Sequence, residues 1–359
     1  ECTALLRAVR KGALDRLLPP VAPLDILAQQ IVAACAAEPW KESDLFALCS
    51  RAAPYEGLTR ERFEEVVELV SAGIETGRGR RAAYLHRDRI GGQLRARRGA
   101  RLAAITSGGA IPEVADYRVV ADPDETFIGT VGEDFAIDSL PGDVFLLGSS
   151  TWRIRRVEAG KLRVVDAEGA TPNVPFGAGE APARTAELSD EVSTLRQELE
   201  PLLAEGDEAA AAAWVEAESG VGADAAIQLV RYLGVSRAAL GALPTRDRLV
   251  LERFFDDAGG MQLVIHTPRG GRLNRALCLA LRKKFCKSFN FELQAAANDD
   301  AMVLSLGPHH SFPLADVPFF LSIQGIEDTL RQAVLPTPLF TARWRWNLNR
   351  SLAVLRFRG

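Results

Sequence analysis

The chain has 359 residues, 47% hydrophobic and 25% charged, with a formal net charge of −4. This is the composition of a folded soluble protein, and its length exceeds one ordinary core, so two to four domains are expected. No apolar run approaches the length of a membrane span, and the N-terminus lacks a charged region followed by an apolar core, so neither a membrane span nor a signal peptide is expected.

In chain order, Glu1 to Leu18 carries a helical pattern (Leu5, Leu6, Val9, Leu14, Leu17) that stops at Pro19-Pro20. Leu24, Leu27, Ile31 and Ala34 predict a helix. A second helix carries Leu45, Phe46 and Leu48 behind a Ser43 cap, and a third carries Phe63, Val66, Val67 and Val70 behind Thr59. The extended patch Ala82 to His86 and the Gly91-Gly92 turn then predict a hairpin. Three helices followed by a hairpin describe a winged helix.

Gly77 to Val114 is the most unusual stretch. It holds nine arginines (78, 80, 81, 87, 89, 95, 97, 98 and 101), with Asp88 the one acid before Glu113. So basic a run in a slightly acidic chain reads as the footprint of a polyanion, above all a nucleic-acid backbone. The bland alternative is a solvated, Arg-rich surface.

From Tyr117 to Phe176, short strand-like runs alternate with Asp122-Pro123-Asp124, Pro141-Gly142, Gly148-Ser149-Ser150 and Ala159-Gly160. Five or six strands in so short a span predict a small closed barrel, SH3-like or OB-like. Leu188, Val192, Leu195, Leu199 and Leu202 then form a helical stripe capped by Ser189 or Asp190. Further helices are read over 209–218, 223–233 and 246–255. The twelve acids of Glu180 to Asp224 face only Arg184 and Arg196 and are read as solvated. A last α/β section has strands at Met261, at Phe291 to Gln294 and at Met302 to Leu306, around a helix built on Leu277, Leu281 and Phe285. Arg269 to Lys287 holds seven cations and no acid, and Arg343 to Arg358 holds five arginines and no acid.

A search for catalytic chemistry returns negatives. There is no phosphate-binding GxxxxGK[ST] loop, no metal-holding acidic box, no HExxH and no paired CxxC. His309-His310, Glu133-Asp134 and Asp299-Asp300 are read as surface or turn residues, and the five cysteines as reduced, with Cys35, Cys278 and Cys286 in cores. What remains is binding chemistry. Arginine holds phosphates and aromatic rings stack on bases, and the two meet at Trp152-Arg153 and at Arg343-Trp344-Arg345-Trp346. For both tryptophan sites, burial in a core is the competing reading.

With these residues in view the chain resembles the bacterial large helicase-related (Lhr) proteins, ATP-dependent DNA helicases of superfamily 2. The stretches that carry the resemblance include YLHRD from Tyr84, RRGARLAAITSGGAIPE from Arg97, EDFAIDSLPGDVFLLGSSTWRI from Glu133, GEAPAR from Gly179, GGMQLVIHTPRGGRLNRA from Gly259 and RWRWNLNRSLAVLRFRG from Arg343. They run through most of the chain in the family's order. The resemblance implies a piece that follows two RecA-like motor domains, with ATP and Mg²⁺ bound by the motors and no cofactor here. It also implies a base contact at Ile111, in the SGGAIP link; a staple between the two domains is the competing reading. Where relatives carry an aromatic after Pro-Phe, this chain has Gly177, so either Phe176 substitutes or the base contact there is weaker.

The expected fold is multidomain α+β. Residues 1–18 form a motor tail or linker, 19–107 a winged helix, 108–186 a β-barrel (SH3/OB-like), and 187–359 a helical bundle plus an α/β domain. The expected function is single-stranded DNA tracking for a 3′-to-5′ helicase of DNA repair in the cytoplasm, without motor activity alone. Expected partners are the motors and a single strand or RNA–DNA hybrid with a 3′ tail. The nucleic-acid contacts are assigned to Arg78, Arg81, Arg97, Arg98, Arg101, Thr106, Ser107, Ile111, Trp152, Phe176, Arg272, Lys284, Arg343, Trp344 and Arg345. The alternative from another class is a structural module that braces the motor or docks a protein partner.

Overall fold

The computed structural model describes residues 1–13, 15–77, 79–111, 115–170, 183–256, 259–289, 293–306, 312–320 and 322–355. The chain folds into two compact units that exchange segments of sequence. One comprises Glu1–Leu17 with Glu180–Pro336, the other Leu18–Gly179 with Thr337–Gly359. No described helix is long and apolar enough to cross a membrane.

The chain opens on α1 (Cys2–Arg10), in the first unit. Its buried face is not the leucine stripe but Ala4, Arg7 and Ala8, while Leu5, Leu6 and Val9 are exposed. Arg7 explains the inversion. Its guanidinium reaches Glu218 at 3.0 Å and Glu191 at 3.3 Å, pairs with Glu198, and lies over the Trp214 ring. A buried guanidinium must be met by carboxylates, and that demand sets the helix's orientation.

The second unit begins with a winged helix. Helix α2 (Leu24–Ala37) buries Leu27, Ala28, Ile31, Val32 and Cys35, one face at helical spacing. A short strand, β1 (Trp40–Lys41), leads into α3 (Glu42–Ser50), and α4 (Arg60–Ala72) is capped by Thr59, whose hydroxyl accepts from the Arg62 amide. Ser43 is not a cap, since α3 begins at Glu42 and Lys41 holds the cap position. Strands β2 (Ile74–Thr76) and β3 (Gly79–Arg81) pair with each other. The hairpin of β4 (Leu85–Asp88) and β5 (Gln93–Ala96) joins β1 in a three-stranded sheet, and α5 (Ala100–Thr106) packs on α2. Leu27, Ile31, Phe63, Val67, Leu85 and Leu94 form the core. Burial pushes the Cys35 thiol up to about 12, which suits a core residue.

The following sheet has the order β7-β6-β10-β9-β8, from β6 (Asp116–Ala121), β7 (Thr126–Gly132), β8 (Val144–Leu147), β9 (Ser150–Glu158) and β10 (Lys161–Asp166), with α6 (Glu133–Asp138) between β7 and β8. Strand β10 returns parallel to β6; the other pairs are antiparallel. The expected closed barrel is a curled half-barrel instead, because β7 and β8 share no ladder among the described residues. Irregularities at Val119/Val120 and Arg163/Val164 add curl. A methyl group on Gly129 of β7 would come within 3.3 Å of Leu147 of β8, so the two edges approach through side chains.

The first unit resumes with α7 (Ala186–Glu205), α8 (Glu208–Ser219) and α9 (Ala223–Leu240), packed around Leu199, Val215 and Val230. The cap of α7 is Thr185, upstream of the expected Ser189 or Asp190, and the Ser189 hydroxyl donates to the Thr185 carbonyl. The acids here are not simply solvated, since Glu191, Glu198 and Glu218 receive Arg7 and Glu200 pairs with Arg248.

A four-stranded antiparallel sheet follows, in the order β11-β12-β14-β13, from β11 (Val250–Phe255), β12 (Met261–His266), β13 (Gln294–Ala297) and β14 (Ala301–Ser305). It packs on α10 (Gly271–Phe289) through Leu263, Ile265, Leu281 and Phe285. The helix expected over 246–255 is strand β11 from Val250. Six register pairs with β12 outweigh its local helical pattern. Helices α11 (Val317–Phe320) and α12 (Ile326–Val334) complete this unit, and α13 (Pro338–Arg350) belongs to the other.

Asp299-Asp300 stand in the turn between β13 and β14, as expected, with the Asp300 side chain 45% exposed, but both are bonded within the fold. Arg184, its side chain 1% exposed, donates to Asp300, to Ser189 Oγ and to the carbonyls of Pro268 and Asp299, while Asp299 Oδ1 accepts from the amides of Arg184 and Gly271. This knot ties the entry to α7 to the start of α10. Arg184→Met is expected to cost about 3 kcal/mol, read from the urea midpoint, because buried acceptors lose their donor. Arg184→Lys should recover only part of the loss, since one ammonium cannot span these positions.

Candidate nucleic-acid interface

The basic stretch divides into arginines that serve the winged helix and arginines that face solvent. Glu42, on α3, is nearly withdrawn from water and accepts from Arg60 at 3.0 Å and from Arg87 at 2.7 Å. Arg87 and Arg89 also reach Glu68. These arginines brace the β4–β5 hairpin against α3 and α4. Asp88 builds the wing's turn: its carboxylate accepts from the amides of Gly91 and Ile90, which hold it below the usual range, and a Cβ on Gly91 would strike it. Arg95 bonds Gln93, and Arg97 donates through Nε to the Leu85 carbonyl at 2.7 Å. Arg80, Arg81, Arg98 and Arg101 are exposed and carry no ion pair among the described residues.

The link after the wing has a defined shape. Ala100 and Ala103 of α5 are buried, and the Thr106 hydroxyl donates to the Leu102 carbonyl. Ser107, half-buried, ends the helix with its amide on the Ala103 carbonyl. Two glycines follow by necessity. A Cβ on Gly108 would lie 2.7 Å from the Ala104 carbonyl oxygen, and Gly109 has φ +117°. Gln29 of α2, 3% exposed, then grips Gly109 twice, its Nε2 donating to the carbonyl at 3.1 Å and its Oε1 accepting from the amide at 2.9 Å. Ile111, two residues on, is 87% exposed.

Helix α13 holds the Arg-Trp run. Thr337 caps it by accepting from the Phe340 amide. Arg345 pairs with Asp134 of α6, Trp346 Nε1 donates to the same carboxylate at 3.4 Å, and Arg350 meets Asp25 of α2 at 2.6 Å. The Tyr84 hydroxyl donates to the Leu352 carbonyl at 2.9 Å. The helix thus bridges winged helix and half-barrel within this unit, and Asp134 is its anchor, not an exposed turn acid. Arg343 lies over the Trp346 ring at 4.9 Å, and Trp344, 54% exposed, stacks on Phe340.

Of the expected contact residues, Arg81 lies on β3, Arg97 and Arg98 follow the wing hairpin, Arg101 and Thr106 lie on α5, and Ser107 and Ile111 fall on the link, with Trp344 and Arg343 on α13 of the same unit. Trp152 packs against the half-barrel core with its indole nitrogen buried, and Arg345 is committed to Asp134. Arg272 is exposed at the start of α10, in the other unit, where Lys284 caps the carbonyls of Phe320 and Ser322. Arg78, Phe176, Gly177 and His309-His310 lie outside the described residues. Sequence reasoning missed Gln29, whose one trace was a polar residue on the apolar face of α2. It also missed Glu42 and the anchoring role of Asp134. Gln29→Leu fills the same buried site without the two bonds; amide exchange at Gly109 should accelerate, with a stability loss of about 1 kcal/mol.

Comparison with known proteins places two family models on the chain: large helicase-related protein, winged helix domain, over residues 7–174, and DEAD/H associated, over residues 243–359. A Lhr helicase/probable uracil glycosylase of Mycolicibacterium smegmatis is 31% identical over 99% of this chain and 24% of its own length. The Lhr helicase/uracil glycosylase of Escherichia coli is 30% identical over 96% of this chain and 22% of its own. An ATP-dependent helicase Lhr-Core protein 2 of Thermococcus barophilus is 28% identical over 99% and 41%. The chain therefore spans well under half the length of these relatives. Among solved structures, the Mycobacterium smegmatis helicase Lhr bound to ssDNA and AMP-PNP matches with a TM-score of 0.73 at 27% identity, covering 98% of this chain and 40% of that one.

Proposed function

The chain belongs to the large helicase-related (Lhr) family, and we propose that within it this segment holds a single nucleic-acid strand for an ATP-driven motor. The observation that carries the reading is the pair Arg98 and Arg101, exposed and unpaired among the described residues, beside a glycine link whose shape Gln29 fixes and from which Ile111 projects. Phosphates meet the two guanidinium groups, and a base meets Ile111. The similar helicase solved with ssDNA supports the same class of ligand. The wing, the half-barrel and α13 form the scaffold, all within one unit.

In this reading ATP and Mg²⁺ bind the motor domains of the longer protein, not this segment, and the segment alone turns over nothing. The process served is 3′-to-5′ unwinding in DNA repair, in the cytoplasm, with a 3′-tailed single strand or RNA–DNA hybrid as ligand. A second reading, a structural brace for the motor, is favoured at Arg345, Arg350 and Lys284, whose charges are already committed within the fold. The two readings therefore assign different residues.

Anisotropy of a labelled oligothymidylate across a salt series separates them. Binding should weaken with salt, with a slope of about 0.7 per phosphate neutralised. Arg98→Glu with Arg101→Glu should lower affinity more than about tenfold at low salt and flatten the slope, with thermal melting unchanged. Unchanged affinity in the folded variant would sink the binding reading, and loss of folding would favour the structural one.

A further inference from the structure

Between the basic wing and the glycine link, α5 turns an apolar face to solvent. Ala100 and Ala103 close the contact with the winged-helix core, while Leu102 and Ile105 are 67% and 72% exposed. Residues three apart on a helix are neighbours, so these two side chains make one continuous aliphatic surface, and Ile111 lies beyond the link. The core does not need them; the buried positions of α5 are Ala100 and Ala103. Large aliphatic side chains kept together in water mark a surface that is covered in use.

The surrounding charge decides what covers it. Arg98 and Arg101 flank the surface, and no acid stands between Asp88 and Glu113. A protein partner would have to bring apolar groups and carboxylates together. A duplex offers phosphates but keeps its base faces stacked. A single strand offers phosphates on one side and unstacked base faces on the other.

We propose that Leu102 and Ile105 form an aliphatic shelf on which the bases of a single strand lie while Arg98 and Arg101 hold its phosphates, and that this shelf gives the site its preference for single strands over duplex. The proposal rests on the strand-holding reading above and adds the residues that sense unstacked bases. Neither side chain touches the phosphates, so the shelf and the arginines are separable.

The test uses the full 359-residue chain with three labelled probes: an oligothymidylate, an abasic strand of equal length, and a blunt duplex. Leu102→Ala with Ile105→Ala keeps helix propensity and net charge. It should weaken oligothymidylate binding about tenfold, the scale of two large side chains losing their cover, and leave the abasic strand, the duplex and the salt slope unchanged. Leu102→Gln alone should lose part of the same preference. Equal weakening on all three probes, or none on oligothymidylate, overturns the shelf while leaving the strand-holding reading intact. A double variant that shifts a self-associated chain to monomer in sedimentation, with strand affinity unchanged, overturns it in favour of contact between copies. A wild-type chain that binds none of the probes removes the strand-holding reading and the shelf with it.

Discussion

Glu42 sits almost out of water and takes the guanidinium groups of both Arg60 and Arg87. A carboxylate so placed is stable only if cations meet it, and the arginines that do so are fixed within the winged helix. The same demand recurs through the chain. Arg7 gathers Glu191, Glu198 and Glu218, Arg163 gathers Asp122, Glu125 and Glu158, and Arg184 closes on Asp300. Pairing thus sorts the cations of a nearly neutral chain into those that hold the fold together and those left facing solvent. The candidate interface is the remainder of that sorting, which is why Arg98 and Arg101 stand out where Arg87 and Arg89 do not.

The link beside them depends on a different constraint. A strand-facing residue is useful only if the backbone beneath it stays in one place, and a run of two glycines resists that through its conformational entropy. Gln29 supplies the restraint from the side of α2, satisfying both polar groups of Gly109. The glycines are required by close approach at Gly108 and by positive φ at Gly109, and the glutamine offsets the freedom they introduce. The hold on Ile111 therefore originates in the first helix of the winged helix, some eighty residues upstream.

Local pattern made much of the fold legible. Helical spacing places α2 and α4, Thr59 marks a start, and Gly91-Gly92 marks the wing's turn, because each depends on residues a few positions apart. What stayed illegible depends on partners far along the chain. Strand β11 is made by β12, Arg345 finds Asp134 across 211 positions, and Arg7 finds Glu218 across another 211. The candidate site was legible as charge but not as availability. A count of arginines cannot tell Arg98 from Arg87 until the position of Glu42 is known.

The Arg-Trp run of α13 shows why spacing alone left its two tryptophans unassigned. On a strand, positions two apart share a face, and both indoles would act together. On a helix they point about 200° apart, so one turns inward when the other turns out. Asp134 decides which. By accepting from Trp346 and pairing with Arg345 it fixes the inward face, and Arg350 on Asp25 holds the far end of the helix. Trp344 is then left outward on Phe340, exposed because its neighbour is anchored. The helix brings one aromatic surface to solvent from the same side chains that tie the winged helix to the half-barrel, so a change at Asp134 reaches both the joint and the exposed ring.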